Sequence, residues 1–410
     1  MTVNALFALQ VLTGLSLGIW IYLLLFRGQF WRVDLETEAA ESIKLQTTSR
    51  STERAGALPP VCVVIPARNE ATVLPRSLGS LLRQSYGGPM RVILIDDQSD
   101  DGTAAVARRT AEELGCSHQL EICSGSALPQ GWSGKLWAME QGVRRAQELQ
   151  PPPHYILFTD ADIAHAPGNL ARLVARAEAD QLSLVSLMVR LRCSSTWEKW
   201  LIPAFVFFFQ KLYPFRWVNQ ARNTTAAAAG GCILLRHDAL ERIGGLAAIH
   251  RALIDDCTLA EAVKRSDRAQ FGAGRLWLGL SDSTISLRPY PDLESIWTMV
   301  ARTAFSQLDH SAWMLLGTVV GMGLVYLLPP VGLISGLVLA NPPLIALGLA
   351  GWGLMAIAYG PMLRFYRLSP LRALSLPVVA LLYSLMTLDS ALRHWRGRGG
   401  AWKGRTYAAG

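Results

Sequence analysis

Apolar runs of two lengths alternate with polar ones along this chain, and their lengths divide it into membrane and soluble parts. Ala5 to Phe26 is free of charge and closed by Arg27; about 20 such residues span a bilayer. Ala312 to Leu363 carries no charge over 52 residues, too long for one helix and suited to two, split near Asn341-Pro342-Pro343. Leu371 to Leu392 is a third candidate, interrupted by Arg372 and Asp389; Asp389 is expected to pair with Arg393 one turn on. The spacing therefore predicts an anchor over 5–26, a polar tether over 27–58, one folded unit over 59–311, two or three spans over 312–392 and a basic tail over 393–410. The first run lacks a basic leader and a small-residue cleavage site, so it reads as an uncleaved anchor.

Within 59–311 the apolar runs are short. Val61 to Ile65, Met90 to Ile95 and Tyr155 to Thr159 read as buried strands, and Gln119 to Cys123 as a shorter one. Val73 to Leu82, Thr103 to Leu114, Leu136 to Leu149 and a segment from Pro167 have helical period. Strands alternating with helices predict an α/β fold with a doubly wound, mostly parallel, Rossmann-like sheet. Such sheets bind ligands at the carboxyl ends of their strands.

Composition narrows the class. The 410 residues are 51% apolar and 17% charged, against about 25% charged in a soluble domain. The net charge is +8, but residues from Ala312 onward hold eight basic side chains and one acidic. Those basic residues flank apolar runs, as the positive-inside rule places them, rather than lining a groove for nucleic acid. Arg27, Arg32, Lys44, Arg50 and Arg54 follow the first run and place the folded unit in the cytoplasm. The six cysteines form no C-x-x-C pair, which removes a zinc or thioredoxin reading.

Polar clusters follow three of the strands: Pro66-Ala67-Arg68-Asn69-Glu70, then Asp96-Asp97-Gln98-Ser99-Asp100-Asp101-Gly102-Thr103, then Asp160-Ala161-Asp162. One acidic turn is ordinary turn chemistry or a helix cap; three at one sheet edge point to a site. An Asp-x-Asp after a buried strand can hold a hard divalent ion, which takes one or two carboxylates and completes its shell with water and phosphate. There is no P-loop, no dinucleotide fingerprint and no Gly-x-Ser-x-Gly elbow.

In order, these clusters and the later Ile254-Asp255-Asp256 resemble the inverting family 2 glycosyltransferases, which have the GT-A fold. Gly131-Trp132-Ser133-Gly134-Lys135-Leu136-Trp137, the run Ala226 to Cys232, Ile254-Asp255-Asp256-Cys257 and Arg288-Pro289-Tyr290-Pro291 look like the hopene-associated subfamily. The resemblance implies a nucleotide-sugar pocket with Pro66, Arg68 and Glu70, Asp96 or Asp97 at the base or ribose, and Lys135 near the diphosphate. It implies Asp160 on the nucleotide, Asp162 as main ligand of Mg²⁺ or Mn²⁺, and Asp256, beside Asp255, as general base. Asp255-Asp256 read alone is equally an acidic helix start. Processive members carry Q-x-x-R-W; here Met299-Val300-Ala301-Arg302-Thr303 keeps only the arginine, which implies a single transfer, with Arg302 at the diphosphate or on the surface.

The implied activity is transfer of one sugar from a nucleotide-sugar donor to a hopanoid-like lipid acceptor, by a multi-pass protein of the bacterial inner membrane. Carotenoid or polyprenyl-phosphate acceptors, a nucleotidyltransferase and a non-catalytic nucleotide-binding scaffold are the alternatives. Trp200 to Phe215 is too short to span, and reads either as a core helix or as an interfacial segment with its aromatics toward lipid. Three spans after a cytoplasmic domain leave the basic tail outside; two spans and a re-entrant segment broken at Pro329-Pro330 would keep it inside.

Overall fold

The computed structural model describes residues 3–34 and 58–397, with the backbone of 401–402 and 405–406. Most of the expected tether and of the basic tail falls outside the described residues.

Strands β1 (Val61–Ala67), β2 (Met90–Asp96), β3 (Leu120–Ser124) and β4 (Tyr155–Phe158) form a parallel block. The full sheet adds β5 (Ile163–Ala164), β6 (Leu184–Arg190), β7 (Ile233–Arg236) and β8 (Leu276–Ser286), in the order β3-β2-β1-β4-β7-β6-β8-β5. β7 runs antiparallel to both β4 and β6, while β6 and β8 are parallel. The mostly parallel GT-A-like arrangement expected from the sequence is thus present, with an antiparallel strand at its centre.

β1 is buried along its whole length, so its alternate side chains feed two cores. Val61, Val63 and Ile65 meet α2 (Leu74–Leu82), α3 (Thr103–Glu113) and α5 (Asn169–Ala179) on one face. Cys62 and Val64 meet α4 (Gly134–Gln147) and α7 (Asp255–Phe271) on the other. Helices on both faces explain why these strands read as continuous apolar runs. All six cysteines are free.

Among the described residues four helices are long and apolar enough to cross a membrane: α1 (Val3–Phe26), Ala312–Val338, Pro342–Phe365 and Pro370–Trp395. We label the last three α9, α10 and α11. The break between α9 and α10 falls at Asn341, whose Oδ1 caps Leu344 N at 3.0 Å. Pro329-Pro330 does not break α9; the helix passes it through a widened turn at Gly323–Leu327. Pro329 has no N–H to offer the carbonyl four residues back, and Trp20 Nε1 of α1 donates to that Val325 oxygen instead, at 2.8 Å. Gly348 lets α10 meet α9 backbone to backbone, since a Cβ there would sit 2.3 Å from Leu333 N.

The aromatic stretch belongs to α6 (Thr196–Leu212), capped by Ser195 and Glu198. Its rings face protein, which corrects the lipid-facing reading. Phe207 is fully buried and packs on Phe30 and Tyr359; Phe208 packs on Tyr326 and Tyr383. One core therefore joins α1, α6, α9, α10 and α11. α8 (Leu293–Ala301) joins it through Trp297, whose Nε1 donates to Asp389 Oδ2 at 2.7 Å; the same oxygen takes Arg393 Nε at 2.7 Å. Truncating the buried ring in Phe207→Ala should cost about 3–5 kcal/mol. Thermal melting of the detergent-solubilised protein checks this, and a shift of a degree or less would return α6 to the membrane surface.

Candidate active site

β1, β2 and β4 end side by side. Ala67 pairs with Asp96, and Val64 with Phe158, so the residues after each strand share one edge. The turn after β2 is laced to the loop after β1. Asn69 N donates to Ser99 Oγ, Glu70 N to Thr103 Oγ1 and Ala71 N to Asp101 Oδ2, at 2.9–3.0 Å. Burial works against ionisation of Asp101, yet the hydrogen bonds from Thr103 and Ala71 hold its carboxyl below the ordinary range. Asp101 is therefore a structural cap, the bland reading of that acidic turn. Asn69 and Gln98 both adopt positive φ, a strained choice for residues other than glycine.

Arg68 Nη1 donates to Asp97 O at 2.5 Å and lies 3.8 Å from Asp97 Oδ2. The Asp97 side chain is buried. Asp96 Oδ1 accepts from Ser99 N at 3.1 Å. These three residues meet at the β1–β2 end of the edge, around the loop that carries Glu70.

At the β4 end, one ammonium gathers acids from two elements. Ser133 caps α4 by accepting from Leu136 N, which sets Lys135 in the first turn. Its Nζ lies 2.9 Å from Asp160 Oδ1 and 3.2 Å from Asp255 Oδ2. Burial alone would lower the Lys135 pKa; Asp160, Asp255 and Asp256 outweigh it and raise the value. Asp256 Oδ2 accepts from Gly230 N at 2.8 Å and its Oδ1 from Cys257 N at 2.8 Å. Burial, with Asp255 alongside, still pushes the Asp256 carboxyl up to about 6. Gly230 packs closely here: a Cβ would stand 3.1 Å from Lys135 Nζ and 3.4 Å from Asp256 Oδ2, so both would have to give way. The cleft between Pro66, Lys135, Asp160, Gly230, Asp255 and Asp256 encloses about 10 Å³, room for one water, so anything larger binds at its mouth.

Asp162 occupies a second ionic centre. Its buried Oδ2 accepts from Ser286 Oγ at 2.9 Å and Arg288 Nε at 3.2 Å. Arg288 Nη2 donates to Glu70 Oε1 at 2.7 Å, so this arginine ties the first and third strand-end clusters. Sequence reasoning quoted Arg288 only within its Arg-Pro-Tyr-Pro signature and gave it no role. The loop is held by Glu198, whose carboxylate accepts from Tyr290 N at 2.7 Å and from Ser194 and Ser195 N. Below Asp160, Thr159 Oγ1 bonds Gly231 O at 2.8 Å and His165 Nε2 at 2.9 Å. Burial drives the His165 pKa down to about 4, so the ring is neutral at pH 7.

Arg302 is exposed just past α8 and makes no ion pair among the described residues. Among the described residues no group of three His, Cys, Asp or Glu side chains is placed to hold a metal ion by itself. Asp160 and Asp162 instead offer the one-or-two-carboxylate set that a magnesium-like ion accepts when phosphate oxygens complete its shell. Asp160 is the more exposed of the two, at 36% against 7% for Asp162.

The GT-A-like sheet thus carries an acidic, lysine-centred edge at the ends of β1, β2 and β4. Residues 62–244, a little under half of the chain, match the model of Glycosyl transferase family 2, which supports that family for the sheet domain. Over 142 residues the chain is 29% identical to an undecaprenyl-phosphate 4-deoxy-4-formamido-L-arabinose transferase of Pseudomonas paraeruginosa, covering 34% of this chain and 38% of that protein. Over 163 residues it is 27% identical to an N-acetylglucosaminyltransferase of Rhizobium leguminosarum bv. viciae, covering 40% and 35%. The chain thus spans little more than a third of the length of these curated relatives. The mannosyltransferase PcManGT from Pyrobaculum calidifontis, solved in complex with GDP-Man and Mn²⁺, superposes with a TM-score of 0.52 over 92% of this chain and 99% of that one, at 18% identity. That likeness shows the shared fold.

Lys135→Gln tests the charge balance. Without the ammonium, the Asp256 pKa should climb beyond about 6 from its ordinary 3.8. A carboxyl raised in the folded state favours folding below its unfolded pKa and loses that contribution as pH rises through the folded one. The variant should therefore melt well below wild type at pH 8 and recover much of the deficit at pH 5. An equal deficit at both pH values would mean that Lys135 does not balance these acids.

Proposed function

We propose that this chain is a membrane-held, inverting glycosyltransferase that moves one sugar from a nucleotide-sugar donor to a lipid acceptor. The observation that carries the reading is the Lys135-centred cleft, with a raised carboxyl at Asp256 beside a lysine suited to a diphosphate. Arg68, Glu70, Asp96 and Asp97 would take the nucleoside, and Lys135 and Asp160 would lie along the diphosphate. Asp162, with Asp160, would hold Mg²⁺ or Mn²⁺, which when bound supplies positive charge for the departing diphosphate. Lys135 adds charge at the same place.

Asp256 performs the proton chemistry. An acceptor hydroxyl attacks the anomeric carbon while its proton passes to the Asp256 carboxylate. The bond from sugar to diphosphate breaks on the opposite face, which inverts the anomeric centre. A base must be ionised to act, and a pKa near 6 keeps Asp256 ionised yet basic at neutral pH. The narrow cleft keeps the carboxylate from bulk water, and Asp255 stays close enough to Lys135 to keep the ammonium in place.

The four apolar helices support a lipid acceptor, with the sheet domain on the cytoplasmic side of a bacterial inner membrane. A hydrophobic acceptor is concentrated in the bilayer, and a site fastened to the spans meets it there. The hopanoid-like identity rests on the subfamily resemblance. A polyprenyl-phosphate acceptor is the second reading, favoured by the arabinose transferase relative. A phosphate nucleophile is already ionised and needs no base, so the two readings differ at Asp256.

Asp256→Asn should leave UDP or GDP binding within about threefold and lower transfer by two orders of magnitude or more, the scale of general-base loss. In wild type the transfer rate should fall below about pH 6 as Asp256 takes up its proton. Normal transfer by the variant would remove the base assignment and favour the phosphate acceptor. For the metal, excess EDTA should abolish turnover and Mg²⁺ or Mn²⁺ restore it, while Asp162→Ala should weaken nucleoside-diphosphate binding. Full turnover in EDTA would dispose of the metal.

A further inference from the structure

A second cavity, of about 590 Å³, opens beside the Asp162 centre between α2, the end of β6 and the end of β8. Three arginines line it, Arg76 from α2 with Arg190 and Arg192 from the β6 end, and no carboxylate does. Among the described residues none of the three has a carboxylate within 4 Å. The acid nearest in the chain, Glu198, accepts from the backbone N–H groups of Ser194, Ser195 and Tyr290, and of the three arginines it attracts Arg192 from a distance. Three like charges around one volume repel one another, and although water and Glu198 moderate this, an anion in that volume would relieve it most directly. Arg76 also lines an adjoining cavity of about 320 Å³ together with Arg83, so the positive field extends along α2.

Position says where the anion comes from. The Arg190 guanidinium stands 5.9 Å from the rings of both Phe365 and Tyr366, at the end of the apolar helix Pro342–Phe365. Burial and Glu198 push up the Cys193 thiol in this wall, and Arg190, Lys199 and Arg372, at the start of α11, act against them. The cavity therefore sits at the level where a bilayer keeps its headgroups. Its other wall is the active site's own: Ser286 lines the cavity and donates to Asp162 Oδ2 at 2.9 Å.

We propose that this arginine cavity binds the phosphate group of a membrane lipid and so holds that lipid's headgroup beside the transferase centre. Arginine suits the task, since its planar fork pairs two N–H groups with two phosphate oxygens. The phosphate belongs either to a phospholipid or to an isoprenoid phosphate, and the experiment separates the two. The word lipid rests on the membrane-held reading above; the anion site itself rests only on the arginines.

The full chain is purified in dodecyl maltoside, as wild type and as the double variant Arg76→Gln/Arg192→Gln. Both side chains are exposed, so the variant should melt within a degree of wild type. Calorimetric titration then compares farnesyl phosphate, dihexanoyl-phosphatidylglycerol and inorganic phosphate. Wild type should bind one of the two lipids at least tenfold more tightly than inorganic phosphate, and the tighter lipid names the source. The double variant should lose tenfold or more of that affinity, each arginine contributing a charged hydrogen bond. Equal affinity in wild type and variant would overturn the site. Inorganic phosphate binding as tightly as the tighter lipid would overturn its lipid character. UDP and GDP titrations on the same samples keep the outcomes apart. Nucleotide binding with no lipid loss defeats this proposal alone, whereas absence of nucleotide binding in wild type defeats the transferase reading.

Discussion

The site depends on a single ammonium. Lys135 draws together Asp160 from the β4 end and the Asp255-Asp256 pair from the start of α7. Three carboxylates this close repel one another strongly where water is scarce. Without a cation among them, protonation or separation is the cheaper state. The lysine makes the cluster foldable, and in doing so determines what the cluster can do. It leaves Asp256 with a carboxyl near 6, whereas a looser arrangement would return it to an ordinary, weakly basic carboxylate. Gly230 completes the arrangement by omission, since a Cβ there would press on both Lys135 Nζ and Asp256 Oδ2.

A parallel device operates at Asp162. Arg288 lies between Asp162 and Glu70, so each carboxylate of the Asp-Ala-Asp segment has its own cation from a different part of the chain. The two centres differ in exposure. Asp160 is open at the cleft mouth, whereas Asp162 is buried beneath a guanidinium and a hydroxyl. A ligand bringing both a divalent cation and a diphosphate adds little net charge to such a site. A cation or a diphosphate arriving alone would have to rearrange the pairs already made.

How much of this was legible in the sequence follows from the range of each interaction. The strand-end clusters were readable because an apolar run followed at once by Asp, Arg or Glu is a local signal, and a parallel sheet brings such ends together. The Asp389–Arg393 pair was readable for the same reason, being one helical turn. Arg288 was not, because its partners Glu70 and Asp162 lie 218 and 126 residues away, beyond any local pattern. The aromatics of α6 were ambiguous because hydrophobicity reports distance from water without saying whether lipid or protein provides it. Only the contacts of Phe207 and Phe208 with Phe30, just after α1, and with α9, α10 and α11 decide it. Pro329-Pro330 misled in the opposite direction, since the helix break it suggested is repaired by a tryptophan more than 300 residues away.

The apolar helices do more than tether the domain. Asp389 of α11 fixes Trp297 of α8, and the Arg288-Pro-Tyr-Pro loop leads directly into α8. Glu198 of α6 grips that loop at Tyr290 N, and α6 is itself packed among α1, α9, α10 and α11. From Tyr290 it is two residues to Arg288, which holds Asp162 and Glu70. An unbroken set of contacts thus runs from the apolar core to the carboxylates at the sheet edge, and every link is a side chain on an element that leaves the sheet. A sheet domain cut free at residue 311 would keep β1 to β4 and Lys135. It would lose the partners of Trp297, Phe207 and Phe208, and with them the support that positions Arg288. The helices therefore belong to the architecture of the site.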